Sequence, residues 1–217
     1  DAYIYLLGKR HPAALGRPVR DVWPELWPET GPVIEAAMAG IPAYFENIPF
    51  TISPNGVMEQ RYFTLSFSPV RDPSGKVLGM FNAGFETTAR VADERRVAFE
   101  LALSDRFRSL STPDEIVCAA SEMLGQQLGV SRVLYAEIDD ANGSFFVRRD
   151  WNAPGVQSLA GEVRCLDDFG PGIIDLLRKG EAMVVHDVEQ DPLTAPVAHN
   201  YARVGVRSNL AVPLVRS

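Results

Sequence analysis

Between residues 59 and 69 apolar and polar side chains alternate. Phe63, Leu65 and Phe67 fall on one face, and Tyr62, Thr64 and Ser66 on the other, the period of a half-buried strand. Asp72-Pro73-Ser74-Gly75-Lys76 follows as a reverse turn, because proline presets its own φ and glycine tolerates a positive one. A second apolar run at 77–85, carrying the small residues Gly79, Ala83 and Gly84, completes a predicted antiparallel hairpin. Upstream, the pattern predicts short, proline-punctuated helices at 2–7, 11–15 and 29–39 and an isolated strand at 43–47. Short helices leading into an antiparallel sheet make an α+β domain.

The pattern changes at residue 87. No Gly or Pro occurs from 87 to 110, and Ala92, Phe99, Leu103, Phe107 and Leu110 recur at helical spacing, with Asp93, Arg96 and Glu100 on the opposite side. Such a helix either packs on its own domain or pairs with its copy in a dimer; its place between two sheet-containing segments favours pairing. Ser111-Thr112-Pro113-Asp114-Glu115 ends that helix and starts another. Thr112 serves as cap, Pro113 as first helical residue, and Glu115 as the return partner of a capping box. Ile116, Ala120, Met123, Leu124 and Leu128 supply its apolar stripe, and Gly129 ends it. Beyond lie predicted strands at 132–138 and 144–151 around an Asn142-Gly143 turn, a helix at 172–178, a strand at 182–188, a helix at 196–204 and a strand at 208–215. The reading is two α+β domains, 1–86 and 112–217, each an antiparallel sheet with helices, joined by a connecting helix at 87–111.

A length of 217 residues, 46% apolar and 23% charged, suits two small globular domains. No apolar run approaches the roughly 18–20 residues of a membrane span, and no signal-like segment opens the chain. Cys118 and Cys165 cannot build a disulfide framework and fit a reducing compartment, so a cytoplasmic location is expected. The net charge of −7 divides into −2 for 1–86, +1 for 87–111 and −6 for 112–217. An acidic body without a basic face disfavours nucleic acid and anionic membrane as partners.

With these elements placed, the first half resembles a PAS domain. The resemblance rests on Asp1-Ala2-Tyr3 through Leu7-Gly8, on His11-Pro12-Ala13-Ala14-Leu15-Gly16-Arg17-Pro18 and on Val22-Trp23-Pro24-Glu25. It continues through the hairpin Phe63-Thr64-Leu65-Ser66-Phe67-Ser68-Pro69-Val70-Arg71-Asp72 and Gly75-Lys76-Val77-Leu78-Gly79, with its exit at Glu86-Thr87-Thr88. The second half resembles a GAF domain through Arg132-Val133-Leu134-Tyr135-Ala136-Glu137-Ile138-Asp139, Val184-Val185-His186-Asp187-Val188, Asp191-Pro192 and Val206-Arg207-Ser208-Asn209-Leu210-Ala211-Val212-Pro213-Leu214. Against these families the PAS half lacks its first strands and the GAF half its last strands and helix. Completion by residues outside the chain, by a second copy, or not at all is the expectation.

The resemblance implies the sensory region of a bacterial two-component sensor histidine kinase, acting as a homodimer and binding a small ligand or partner. Its phosphorylatable histidine and nucleotide-binding domain would lie past Ser217, with no catalytic residue here. Two alternatives stay open: a cofactor- or thiol-dependent GAF-like enzyme, and the same sensory modules with a phosphatase or nucleotide cyclase output. A ligand would sit between sheet and helices. In the PAS half Trp23, Trp27, Phe63, Phe67, Phe81 and Asn82 are candidate lining residues. In the GAF half they are Tyr135, Phe146, Trp151, Cys165, Phe169 and His186. The bland reading of the aromatics is core filling. Asn82, polar within an apolar strand, needs a partner if buried.

No cofactor is expected. The Asp-Ile-Pro motif and Cys-His pair of bilin-binding GAF domains are absent, which argues against a bilin or other chromophore, and so is the Asn-Lys-Phe-Asp-Glu pattern of cyclic-nucleotide-binding ones. Asp168-Phe169-Gly170 spells a protein-kinase tripeptide without the other kinase motifs, and Gly170-Pro171-Gly172 is no dinucleotide fingerprint. His11, His186 and His199 lack metal-ligand spacing, so no metal is expected. Asp139-Asp140 and Asp167-Asp168 sit in turns, where Asp caps backbone amides.

Overall fold

The computed structural model describes residues 3–53 and 58–214. The chain divides into two compact units, Asp1–Glu100 and Leu101–Ser217. Each is a mixture of helices and antiparallel strands, the fold class expected from the pattern.

The first unit opens with helix α1 (Ile4–Leu7), then α2 (Val19–Val22) and α3 (Trp27–Met38). A three-stranded antiparallel sheet follows, β1 (Ala43–Ile52), β2 (Glu59–Arg71) and β3 (Val77–Glu86), in the order β1-β2-β3. Leu7, Trp23, Phe50, Ile52 and Phe63 form its buried core, with Leu6, Val22, Ile48 and Leu65 packed around them. Trp23 is fixed at both ends: its indole N–H donates to the Tyr3 hydroxyl at 2.8 Å, and the Arg10 guanidinium lies 4.2 Å over its ring. The β2–β3 turn is held as its chemistry predicts. The Asp72 carboxylate accepts from the Ser74 hydroxyl and from the amides of Ser74 and Lys76, bonds that hold it below the usual carboxylate range, the hydroxyl's the strongest.

Helix α4 (Thr88–Phe107) runs across the division between the units. Of the predicted seam, Phe99, Leu103, Phe107 and Leu110 are half-buried and Ala92 is exposed. Val91 is the buried residue of α4, while Val97 and Leu101, on the side away from that seam, are exposed. Arg90–Glu94 and Arg96–Glu100 ion pairs line the helix at i,i+4 spacing.

The second unit begins with α5 (Pro113–Leu128). Thr112 Oγ1 accepts from the Glu115 amide while the Glu115 carboxylate accepts from the amides of Ser111 and Thr112. Gly129, at φ 62°, closes the helix in the left-handed region. The helix packs on β4 (Arg132–Asp139) and β5 (Ser144–Asn152), which with β6 (Val163–Cys165) form a second antiparallel sheet, β4-β5-β6. Then come α6 (Pro171–Arg178), β7 (Met183–Val185), α7 (Ala198–Arg203) and β8 (Asn209–Ala211), with β7 and β8 paired antiparallel. Ile173, Met183, Val185, Val188 and Tyr201 form one core, and Val147, Leu159 and Val204 another.

Several expectations need correction. Residues 11–16 form turns instead of a helix: the amides of Leu15 and Arg17 bond three residues back, and no continuous i to i−4 ladder develops. The strand expected at 43–47 is neither isolated nor short, since β1 continues to Ile52 and pairs with β2. Expected strands at 182–188 and 208–215 shrink to the three-residue β7 and β8. Helix α2 and strand β6 are additional to the elements the pattern predicts. Ala2, the start of the first predicted helix, and Val215, the end of the last predicted strand, lie outside the described residues.

Tyr201 gives the second unit a pH-dependent component. It is 1% exposed, donates to the Phe169 carbonyl at 2.9 Å, and is pushed up to about 12 by burial, then by the charge of Asp191. A raised phenol contributes stability that is fully present below its unfolded value near 10 and lost as pH climbs toward 12. Urea unfolding is expected to show a loss on the order of 2 kcal/mol between those limits, absent in Tyr201→Phe. Equal pH slopes for the two proteins would refute the assignment.

Candidate functional site

Helix α3 and the sheet of the first unit line a partly open cavity of about 80 Å³. Glu29, Thr30 and Val33 of α3, Phe45, Ile48 and Phe50 of β1, and Leu65 and Phe67 of β2 line it. Six of these eight are apolar. Of the other two, Thr30 spends its hydroxyl donor on the Leu26 carbonyl at 2.9 Å, so the wall is predominantly hydrocarbon. Phe45 meets Phe67 edge-on at 6.4 Å, and Phe50 lies tilted against Phe63 at 5.9 Å.

A β-bulge makes this wall. Phe45 pairs with Leu65 and Ile48 with Phe63, so Glu46 and Asn47 lie in the register shift. Strict alternation would put Phe45 on one face and Ile48, Phe50 and Ile52 on the other; the bulge brings all four to the face shared with Phe63, Leu65 and Phe67. Asn47 carries the distortion at φ 51°, a region that asparagine enters more readily than most residues. Its amide donates to the buried Thr64 hydroxyl at 3.3 Å, and its side-chain oxygen accepts from Arg90 at 2.8 Å.

Of the residues singled out from sequence, Phe67 lines the cavity and Phe63 borders the same face. Trp23 belongs to the core beside Phe50 and Phe63, and Trp27 stacks on Gly31 at the start of α3. Asn82 pairs with Phe67 but is exposed, its amide donating to the Ser66 carbonyl at 3.1 Å. Phe81 pairs with Ser68 on the opposite face and is 62% exposed, so it does not border the cavity.

In the second unit the register splits the candidates between two faces. Tyr135, Phe146 and Trp151 lie on the face that carries α5, fixed by contact of the Trp151 ring with the helix at Gly125. Cys165 pairs with Ser144 on that face and is exposed, as is Cys118. Phe169 lies with Phe145, 5.4 Å away, and Tyr201, 5.2 Å away. His186 is exposed just after β7. These six do not converge on one pocket. Among the described residues no cluster of three or more His, Cys, Asp or Glu could hold a metal, and no helix is long and apolar enough to cross a membrane.

Comparison with protein families matches residues 1–92 to the PAS fold and residues 112–217 to the GAF domain. The chain carries a PAS domain and a GAF domain. Among solved structures, the chromophore-binding domain of a Stigmatella aurantiaca bacteriophytochrome is 14% identical, with 94% of this chain and 74% of that one covered at a TM-score of 0.47. A phycoerythrobilin-bound GAF domain from a cyanobacterial phytochrome is 18% identical over 57% of this chain and 76% of that one, at 0.49. Residues 122 to 287 of a methyl-accepting chemotaxis protein are 24% identical over 54% and 74%, at 0.42. Comparison with curated proteins found no match.

Sequence reasoning missed most of the PAS cavity: Glu29, Thr30, Val33, Phe45, Ile48, Phe50 and Leu65. The helical spacing of 29, 30 and 33 was available as a signal, since those positions share one face of α3. The β1 residues were hidden by the bulge, which breaks the alternation that marks a strand.

Proposed function

We propose that this chain is the sensory relay of a two-component sensor histidine kinase, with the PAS cavity as its receptor and a homodimeric α4 as its output. The observation that carries the reading is the hydrocarbon-lined space between α3 and the bulged β1. At about 80 Å³ it is roughly half the 150 Å³ of an engineered cavity that takes benzene or xenon, so the ligand class is an apolar molecule of a few heavy atoms. Binding favours one state of the PAS domain by no more than its differential affinity for the two states, and α4, leaving the sheet directly after β3, receives that bias. The cytoplasm is the proposed location, and no chromophore is assigned to the GAF domain.

Xenon is the test probe. Pressurised samples are expected to shift the methyl resonances of Val33, Ile48 and Leu65, and Val33→Phe is expected to abolish the response. Shifts spread evenly over the chain would overturn the receptor assignment. For the output, Leu103→Asp with Phe107→Asp is expected to lower the mass measured by light scattering, and an unchanged mass counts against the paired helix. Incubation with phycocyanobilin is expected to leave no visible band after denaturation; a covalent band would reassign the GAF domain as a photoreceptor. Histidine autophosphorylation of the parent protein, measured with and without xenon, tests the kinase output.

A further inference from the structure

Strands β4 and β5 contain a second bulge, and it does something the alternation of the sequence forbids. Tyr135 pairs with Arg149 and Ala136 with Val147, which leaves Arg148 as the extra residue. Consecutive residues of a regular strand face opposite ways; here Arg148 and Arg149 both reach the α5 side. Together they line a cleft of about 280 Å³ with Asp114 and Val117 of α5 and Tyr135 and Glu137 of β4.

The charges in this cleft stand in two opposite-sign pairs. Arg148 Nε lies 3.1 Å from Glu137 Oε2, and Arg149 Nη2 lies 3.3 Å from Asp114 Oδ2. Each pair makes one contact where a guanidinium can make two parallel ones, so donors and acceptors are left over on both sides. All four side chains are between 41% and 69% exposed, and solvent-exposed pairs of this kind are weak, so a ligand displaces them at little cost. The α5 terminus does not supply the site, since the Glu115 amide is already taken by its own cap.

The geometry points to this cleft as a binding site for a zwitterion: a small molecule with one carboxylate and one ammonium, of the free amino-acid class. A simple anion would meet two guanidiniums but also two carboxylates, and a simple cation the converse. A zwitterion places its carboxylate on Arg148 and Arg149 and its ammonium on Glu137 and Asp114, with its apolar part against Val117 and the Tyr135 ring. This site is independent of the PAS cavity and stands if that reading fails.

Calorimetric titration of the 217-residue chain with three matched probes tests it: L-phenylalanine, 3-phenylpropionate and phenethylamine. L-Phenylalanine is expected to bind at least about tenfold tighter than either singly charged probe. Arg148→Gln, Arg149→Gln and Glu137→Gln are each expected to weaken it by about tenfold, while Arg178→Gln, elsewhere in the same unit, leaves it unchanged. Equal affinity for the three probes, no heat from L-phenylalanine up to about 10 mM, or undiminished binding by the Arg148→Gln/Arg149→Gln double variant would each overturn the assignment.

Discussion

Phe50→Ala is expected to cost the PAS unit about 3–5 kcal/mol in urea unfolding, the usual range for deleting a buried phenyl ring. Phe50 is 5% exposed, packs on Phe63 and closes one wall of the cavity. Removing its ring takes away transfer energy and leaves a larger hole, because Phe63, Ile52 and Trp23 are themselves held in the core and cannot all collapse inward. The enlarged, apolar hole is expected to bind benzene. At a hundred times its dissociation constant, benzene should return about 2.7 kcal/mol to the variant. The parent protein, with its smaller cavity, should not respond. A loss below about 1 kcal/mol, or equal responses of parent and variant to benzene, would show that Phe50 does not wall a real cavity.

Gly125→Val is expected to destabilise the GAF unit by about 3 kcal/mol, although valine is intrinsically no worse in a helix than glycine. Gly125 is buried in the interior of α5, and a Cβ there would run into the six-membered ring of Trp151 on β5. That ring is not the free end of a flexible chain. Trp151 is paired with Val133 across the sheet and is half-buried beneath the helix, so relief requires the helix and strand to separate. Gly79→Ala in β3 is the control, because a Cβ at Gly79 meets nothing within 4 Å. In a double-mutant cycle, Trp151→Ala should absorb most of the Gly125→Val loss; additive effects would place the clash elsewhere.

Six short elements show where local chemistry sufficed and where it did not. The Thr112–Glu115 capping box, the Asp72–Lys76 turn and the Asn142-Gly143 turn are closed by side chains within a few residues of one another. Their bonds form in any chain with that spelling, so they are legible without a fold. Strands β6, β7 and β8, three residues each, have too little pattern of their own, and they exist because a distant segment pairs with them. The aromatic candidates were legible as core material but not by face, since Phe81 and Asn82 differ by one residue and end on opposite sides of the sheet.

Sequence alone determined helices α3, α4 and α5, the β2–β3 and β4–β5 hairpins and the turns that close them, because periodicity and capping act over a few residues. Tertiary structure decided which side chains share a cavity. Both clefts are built on a register shift, one at Asn47 and one at Arg148, that moves side chains across the face of a sheet. A bulge is stabilised by the partner strand and by contacts such as Asn47 with Thr64 and Arg90, so its position is written in the pairing and not in the local pattern.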